Sequence, residues 1–232
     1  MNKLLTSIAA AGMLAISYST SANSIELPEV RLGATHTESV VYGSVSELNS
    51  QSSRTSEKKG LFLNDSVGIF GELAIKQLFG LTIGFEYGGD GVSNTAERIV
   101  QGRAAKTAES GATAEETENG TQKVDLSLDD STSVYLLMPI MDTGFFVKAG
   151  QLETDIITKE TLFTGSTYGN VSMSADFVGP GYQHDVTDLF FVRAEAQYME
   201  FDNAAVTGSG GDKISLTDVG QASAKFSVGL KY

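Results

Sequence analysis

Eight segments of this chain alternate apolar and polar residues with a period of two, and that repetition constrains the fold more than any other feature. Val30, Leu32 and Ala34 alternate with Arg31, Gly33 and Thr35. Val67, Ile69, Gly71, Leu73 and Ile75 are opposed by Gly68, Phe70, Glu72 and Ala74. Leu81, Ile83, Phe85 and Tyr87 are opposed by Thr82, Gly84 and Glu86, and Phe145, Val147 and Ala149 by Phe146, Lys148 and Gly150. Further segments run over Asp129–Pro139, Val171–Gln183 and Leu189–Phe201, and the last nine residues alternate from Ala224 to Tyr232. Successive side chains of a strand point to opposite faces, so each segment predicts a strand with one apolar and one polar face. Only the apolar run Val134–Met138 leaves its facing open.

The connections between these strands alternate in length. Lys76–Gly80, Ile140–Gly144 and Asp185–Asp188 are short, whereas His36–Ser66, Gly88–Asp129, Glu153–Asn170 and Asp202–Gly220 are long and polar. A barrel inserted into a membrane from one side has a physical cause for this rhythm: turns on the near side stay tight, and loops on the far side are free to grow. Long structureless loops inside a compact soluble domain would count against that alternative. Mean hydropathy near zero also suits a barrel, whose strands are half polar. The expected fold is all-β, an eight-stranded antiparallel up-and-down transmembrane barrel with short periplasmic turns and long extracellular loops.

Met1-Asn2-Lys3, the apolar stretch Leu4–Ile16 and the small residues Thr20-Ser21-Ala22 form the three regions of a secretory signal peptide. The apolar stretch is shorter than the ~20 residues a spanning helix needs. The expected organisation is a cleaved segment at 1–22 and one barrel domain at 23–232. The chain has no cysteine, which excludes disulfides and a lipid anchor on cysteine. Its formal net charge of −13 disfavours nucleic acid, whose phosphates require basic clusters.

Two stretches carry a family resemblance. The C-terminal residues Phe226, Val228, Leu230 and Tyr232 resemble the sorting signal that closes bacterial outer-membrane barrels. The stretch from Gly179 through Tyr182 and Thr187-Asp188 to Arg193, Glu195 and Tyr198 resembles the strand-turn-strand hairpin of small eight-stranded barrels. These are the OmpA transmembrane domain, OmpX and the opacity-type proteins. The resemblance implies an outer-membrane location with both termini periplasmic, and contact with the barrel-assembly machinery, lipid and lipopolysaccharide. No peptidoglycan-binding domain follows Tyr232, so a cell-wall tether is not implied.

With the apolar sets outward, Arg31, Lys148, Arg193 and Lys225 point inward together with Glu72, Glu86, Asp176 and Glu195. The interior of an eight-stranded barrel is just wide enough for side chains to fill, and buried charges need partners. A balanced set therefore predicts a salt-bridged plug, with a gated ion path as the alternative. The surplus acid falls in the loops, notably Glu115-Glu116, Glu118 and Asp129-Asp130. Calcium loops place oxygens at defined spacings and none is visible, so no metal or cofactor is expected. The Gly-Ser-Gly-Gly run at 208–211 precedes no helix and lacks the lysine of a phosphate cradle.

Catalysis would need a histidine base, and only His36 and His184 are available. Neither stands in a His-x-Ser pair, so an enzyme is not expected. Tyrosines such as Tyr42, Tyr87 and Tyr198 near strand ends suit an aromatic girdle. The sequence thus favours a structural and surface-interaction protein whose loops contact host, neighbouring cell or phage. A narrow channel is the second reading, and an outer-leaflet lipid enzyme using His36 the third.

Overall fold

A computed structural model describes residues 27–48, 55–88, 94–97, 123–161, 169–209, 211 and 213–232. The expected signal peptide at 1–22 and the acidic Glu115–Glu118 stretch lie outside the described residues. Among the described residues ten strands follow one another: β1 (Glu29–Leu48), β2 (Thr55–Ile75), β3 (Leu81–Gly88), β4 (Asn94–Glu97), β5 (Lys123–Pro139), β6 (Phe145–Thr161), β7 (Val171–Asp185), β8 (Phe190–Phe201), β9 (Ala204–Thr207) and β10 (Lys213–Lys231). Eight of them form one ring, β1-β2-β3-β5-β6-β7-β8-β10, and β10 pairs back onto β1. All the pairings are antiparallel. This is a closed eight-stranded barrel. Closure leaves no sheet edge in the ring, as backbone groups facing lipid require.

The register fixes the strand tilt. Leu61 pairs with Tyr42, Tyr42 with Gly220, Gly220 with Glu200, Glu200 with Asp176 and Asp176 with Gln151. Gln151 pairs with Val134, Val134 with Phe85 and Phe85 with Gly71. One circuit therefore returns to β2 ten residues along, at Gly71 instead of Leu61. A stagger of that size over eight strands tilts them by about 40°.

The outer face is apolar over the lower part of every barrel strand, with Leu32, Ile69, Leu136, Val178 and Phe226 among its exposed side chains. Polar or aromatic residues then take over: Glu38, Asp65, Tyr87, Gln151, Asp176 and Tyr198 lie at one height once the tilt is allowed for. The eight to ten residues of each strand below that ring span roughly 20–25 Å, the height of a hydrocarbon layer. Inside, Glu72, Lys148, Arg193, Glu195 and Lys225 are buried. Apolar outside and charged inside is the inverse of a soluble domain, and this is a membrane barrel.

The short connections match the sequence reading. Lys76–Leu78 forms a single 3₁₀ turn, and all three turns share the rim where the first and last strands meet. The long connections differ from it. β1 and β2 stay paired as far as Leu48 and Thr55, so most of the expected 36–66 loop is a protruding hairpin. β6 runs on to Thr161, and β10 begins at Lys213 with β9 beside it. β4 likewise pairs with the outer part of β5. Above the lipid a strand has water on both faces, so it needs no apolar alternation, and the reading by period two stopped short. Two interruptions of register accompany these extensions: opposite Tyr42/Ser44 of β1, where β10 carries an extra residue, and at Asp129/Thr132 of β5, and pairing continues beyond both.

Candidate functional site

Among the described residues, chemistry-bearing side chains converge in the barrel interior, which is stacked in layers. Nearest the rim that carries the termini, Arg31 Nε donates to Glu29 Oε1 at 2.7 Å and Lys231 Nζ meets Asp185 Oδ2 at 2.5 Å. Gln183 Oε1 accepts from Arg31 at 3.4 Å and from Arg193 at 2.9 Å, joining this layer to the next.

In the second layer the Arg193 guanidinium grips Glu72 with two bonds, 2.6 Å to Oε1 and 2.8 Å to Oε2. A planar fork on a carboxylate is the strongest geometry an ion pair can adopt. The Tyr135 hydroxyl donates to Glu72 Oε1 at 2.8 Å. The rings of Phe70, Phe146 and Phe191 stand 5.4, 5.3 and 5.2 Å from the guanidinium carbon. Guanidinium tolerates such aromatic walls because it is weakly hydrated and is attracted to ring faces. Tyr135 reaches across the lumen because position 84 is glycine; a Cβ there would overlap its ring.

The third layer holds two ammonium groups and two carboxylates. Lys148 Nζ lies 3.0 Å from Glu195 Oε2 and 3.4 Å from Glu86 Oε2, with the Tyr135 ring centroid at 3.8 Å. Lys225 pairs with Glu86 Oε1, and Gln197 Nε2 donates to Glu195 Oε2 at 2.8 Å. Above it one wall, from β1 and β10, carries Thr35, Thr37, Ser39, Ser223 and Ser227. The opposite wall is an apolar cluster of Tyr135, Ala175, Phe177 and Met199.

Seven of the eight residues expected inward from sequence sit in or against this stack, with Arg31 at its edge 3.9 Å from Glu72. Asp176 does not. It is exposed on the outer face, where it accepts from Gln151 at 3.0 Å. β7 turns Met173, Ala175 and Phe177 inward, and the glycines at 179 and 181 follow on that face. Phe146 fills the space beside Gly181, where a Cβ would overlap its ring. Asp176 therefore belongs to the polar ring at the top of the lipid-facing belt. Glu29, which pairs with Arg31, supplies a carboxylate to the stack where Asp176 does not.

Sequence reasoning also missed Gln183, the uncharged link between the first two layers, Gln197, which donates to Glu195 within the third, and the three phenylalanines. Their signal was available in the phase: Gln197 follows Glu195 by two, and Phe70 and Phe146 precede Glu72 and Lys148 by two. Outward-facing tyrosines gather at the ring above the belt. The Tyr42 and Tyr198 hydroxyls are 2.6 Å apart, and Tyr87 donates to Asp130 at 2.5 Å. His36 is half-exposed on the outer face beside Glu38, at 3.7 Å, and His184 is exposed near the rim that carries the termini. Neither histidine faces the lumen. The backbone of Tyr232 exchanges both hydrogen bonds with Val30, so the terminal segment is zipped into the ring.

No family model matches the chain, and no curated protein matches it in sequence. Solved structures do resemble it in shape. The attachment invasion locus protein Ail of Yersinia pestis, in complex with the heparin analogue sucrose octasulfate, aligns over 89% of this chain and 100% of its own, with 10% identity and a TM-score of 0.45. The outer membrane protease OmpT of Escherichia coli covers 93% and 100%, with 10% identity and a TM-score of 0.42. Neisserial surface protein A covers 86% and 99%, with 11% identity and a TM-score of 0.39. Such likenesses concern fold alone, and the strand pairing establishes the fold independently: the chain is a closed, eight-stranded, antiparallel membrane barrel.

Proposed function

We propose that this protein is an exported outer-membrane barrel, non-enzymatic, that acts through the surface it raises above the lipid and uses its lumen only as a structural plug. One observation carries the reading. The interior charges are paired across three linked layers, with aromatic rings packed between them, while β1, β2, β5, β6 and β10 overshoot the lipid belt and are extended by β4 and β9. The barrel is filled where a pore would need water and elaborated where a partner would touch it.

On this reading residues 1–22 direct export and are removed, and both termini lie on the periplasmic side. Phe226, Val228, Leu230 and Tyr232 are read by the assembly machinery before β10 is paired. Lipopolysaccharide surrounds the belt, and host, neighbouring-cell or phage surfaces meet the overshooting strands and the acidic stretch 91–122.

Refolded protein in a planar bilayer is expected to be silent. Steady ohmic conductance of the wild type would overturn the plug and favour a narrow channel. Deletion of Gly91–Gln122 is expected to leave the barrel folded and to reduce adhesion of cells carrying it; unchanged adhesion would remove that stretch from the contact surface.

A further inference from the structure

Turn tips in water are normally polar, and residues with left-handed backbone are normally Gly, Asn or Asp. All three short turns depart from the first rule, and two of them depart from the second. Phe79 has φ of 56° and is 95% exposed, and Met141 has φ of 51° and is 88% exposed. A bulky residue in this region is a conformational outlier, which asks for a reason. Leu78 and Ile140 stand exposed beside them, and Val186 and Leu189 are exposed in the third turn. The tips are held in place by their own bonds: Gly80 N donates to Ile75 O at 3.2 Å, Ile140 N to Phe145 O at 2.8 Å, and Val186 N to Phe190 O at 2.9 Å.

We infer that these tips are lipid anchors, apolar pegs that seat the rim carrying the termini in the headgroup region of the membrane. The inference rests on the reading that the barrel stands in lipid. Two features select lipid over a protein partner as the occupant. First, the tips are continuous with the apolar outer face: Phe79 lies two residues from Leu81, Met141 three from the exposed Met138, and Leu189 directly before Phe190. Second, they are distributed around the ring, between β2 and β3, β5 and β6, and β7 and β8. A docked protein would cover one side, whereas a lipid surface meets the whole circumference. Polar neighbours such as Lys76, Asp142 and Asp188 complete the mixture of a headgroup interface, where long or amphipathic side chains keep their polar ends wet.

The chain contains no tryptophan, so a single introduced indole reports without background. Phe79→Trp, Met141→Trp and Leu189→Trp are refolded into phosphatidylcholine vesicles, each checked for a β spectrum, with Val228→Trp as the belt control and Lys59→Trp, exposed on the protruding hairpin of β1 and β2, as the aqueous control. The expected result is a blue-shifted emission from the tip indoles, quenched by lipids brominated near the carbonyl end of the chain and poorly quenched by acrylamide. Tip indoles that are quenched by acrylamide as strongly as Lys59→Trp, beside a lipid-quenched Val228→Trp, would overturn the anchors and leave the membrane barrel standing. An aqueous Val228→Trp would overturn the membrane reading itself. If one tip variant does not fold, the other two carry the test.

Discussion

At the residue scale, the interior distinguishes a locked ion pair from a shared one. Arg193 is held by two bonds to Glu72 and three aromatic rings, whereas Lys148 divides itself between Glu86 and Glu195. Removing one member of a buried pair leaves a charge without compensation, which costs about 3–5 kcal/mol. Arg193→Ala is therefore expected to lower the unfolding free energy of vesicle-embedded protein, read from urea titration, by that amount. Replacing both partners, Arg193→Leu with Glu72→Leu, should recover most of the loss, because an apolar pair leaves no buried charge unpaired. Equal destabilisation by the single and double variants would show that the pair is not the source. Gly84→Val tests the neighbouring contact. Its side chain would displace Tyr135 from Glu72 and cost about 1–3 kcal/mol in the same measurement.

Asp185, beyond the belt at the third turn, makes a prediction in pH. Partial burial pushes its carboxyl up, but the hydrogen bonds from Lys231 and Gln183 outweigh that and hold it below the usual value. A carboxyl lowered on folding stabilises above its unfolded pKa of about 3.9 and loses that contribution as pH falls through the folded value. The stability difference between wild type and Asp185→Asn is thus expected in full at neutral pH, should shrink as pH falls below about 4, and should vanish once pH is below the lowered folded value. A difference that persists at low pH would mean that the loss on substitution is steric.

At the scale of elements, the strands within the lipid were legible because two solvents act on them. Lipid on one face and a packed lumen on the other impose period two, and the phase alone assigned Glu72, Glu86, Lys148, Arg193, Glu195 and Lys225 inward. Asp176 was misplaced because β7 puts Met173, Ala175 and Phe177 against the lumen's apolar wall, so the apolar side of that strand is its inner side. The hairpin of β1 and β2 above Glu38 was illegible for the complementary reason: with water on both faces, hydrophobic alternation carries no instruction. Those extensions should consequently be separable from the barrel. Replacing Ser46–Glu57 by Asn-Gly, the favoured two-residue hairpin turn, joins Val45 to Lys58, which already face each other. The shortened barrel is expected to retain the wild-type unfolding free energy within about 1 kcal/mol, as distant surface changes usually do. A large loss would show that the hairpin supports the ring.

For the whole molecule, nearly every pairing is between barrel strands that succeed one another along the chain. The exception is the seam where Arg31 faces Lys231 and Thr35 faces Ser227. Loop-closure entropy is small for each hairpin and is concentrated in that single joint, which must wait until all the intervening strands are in place. Until then the sheet has two free edges, β1 and β10, each complementary to the other and equally complementary to the same edge of a second chain. Refolding should therefore be a race between ring closure, which is independent of concentration, and pairing across molecules, which is not. Yield of monomeric barrel falling with protein concentration, at an unchanged rate of hairpin formation, is what a ring fastened at one long-range joint must show.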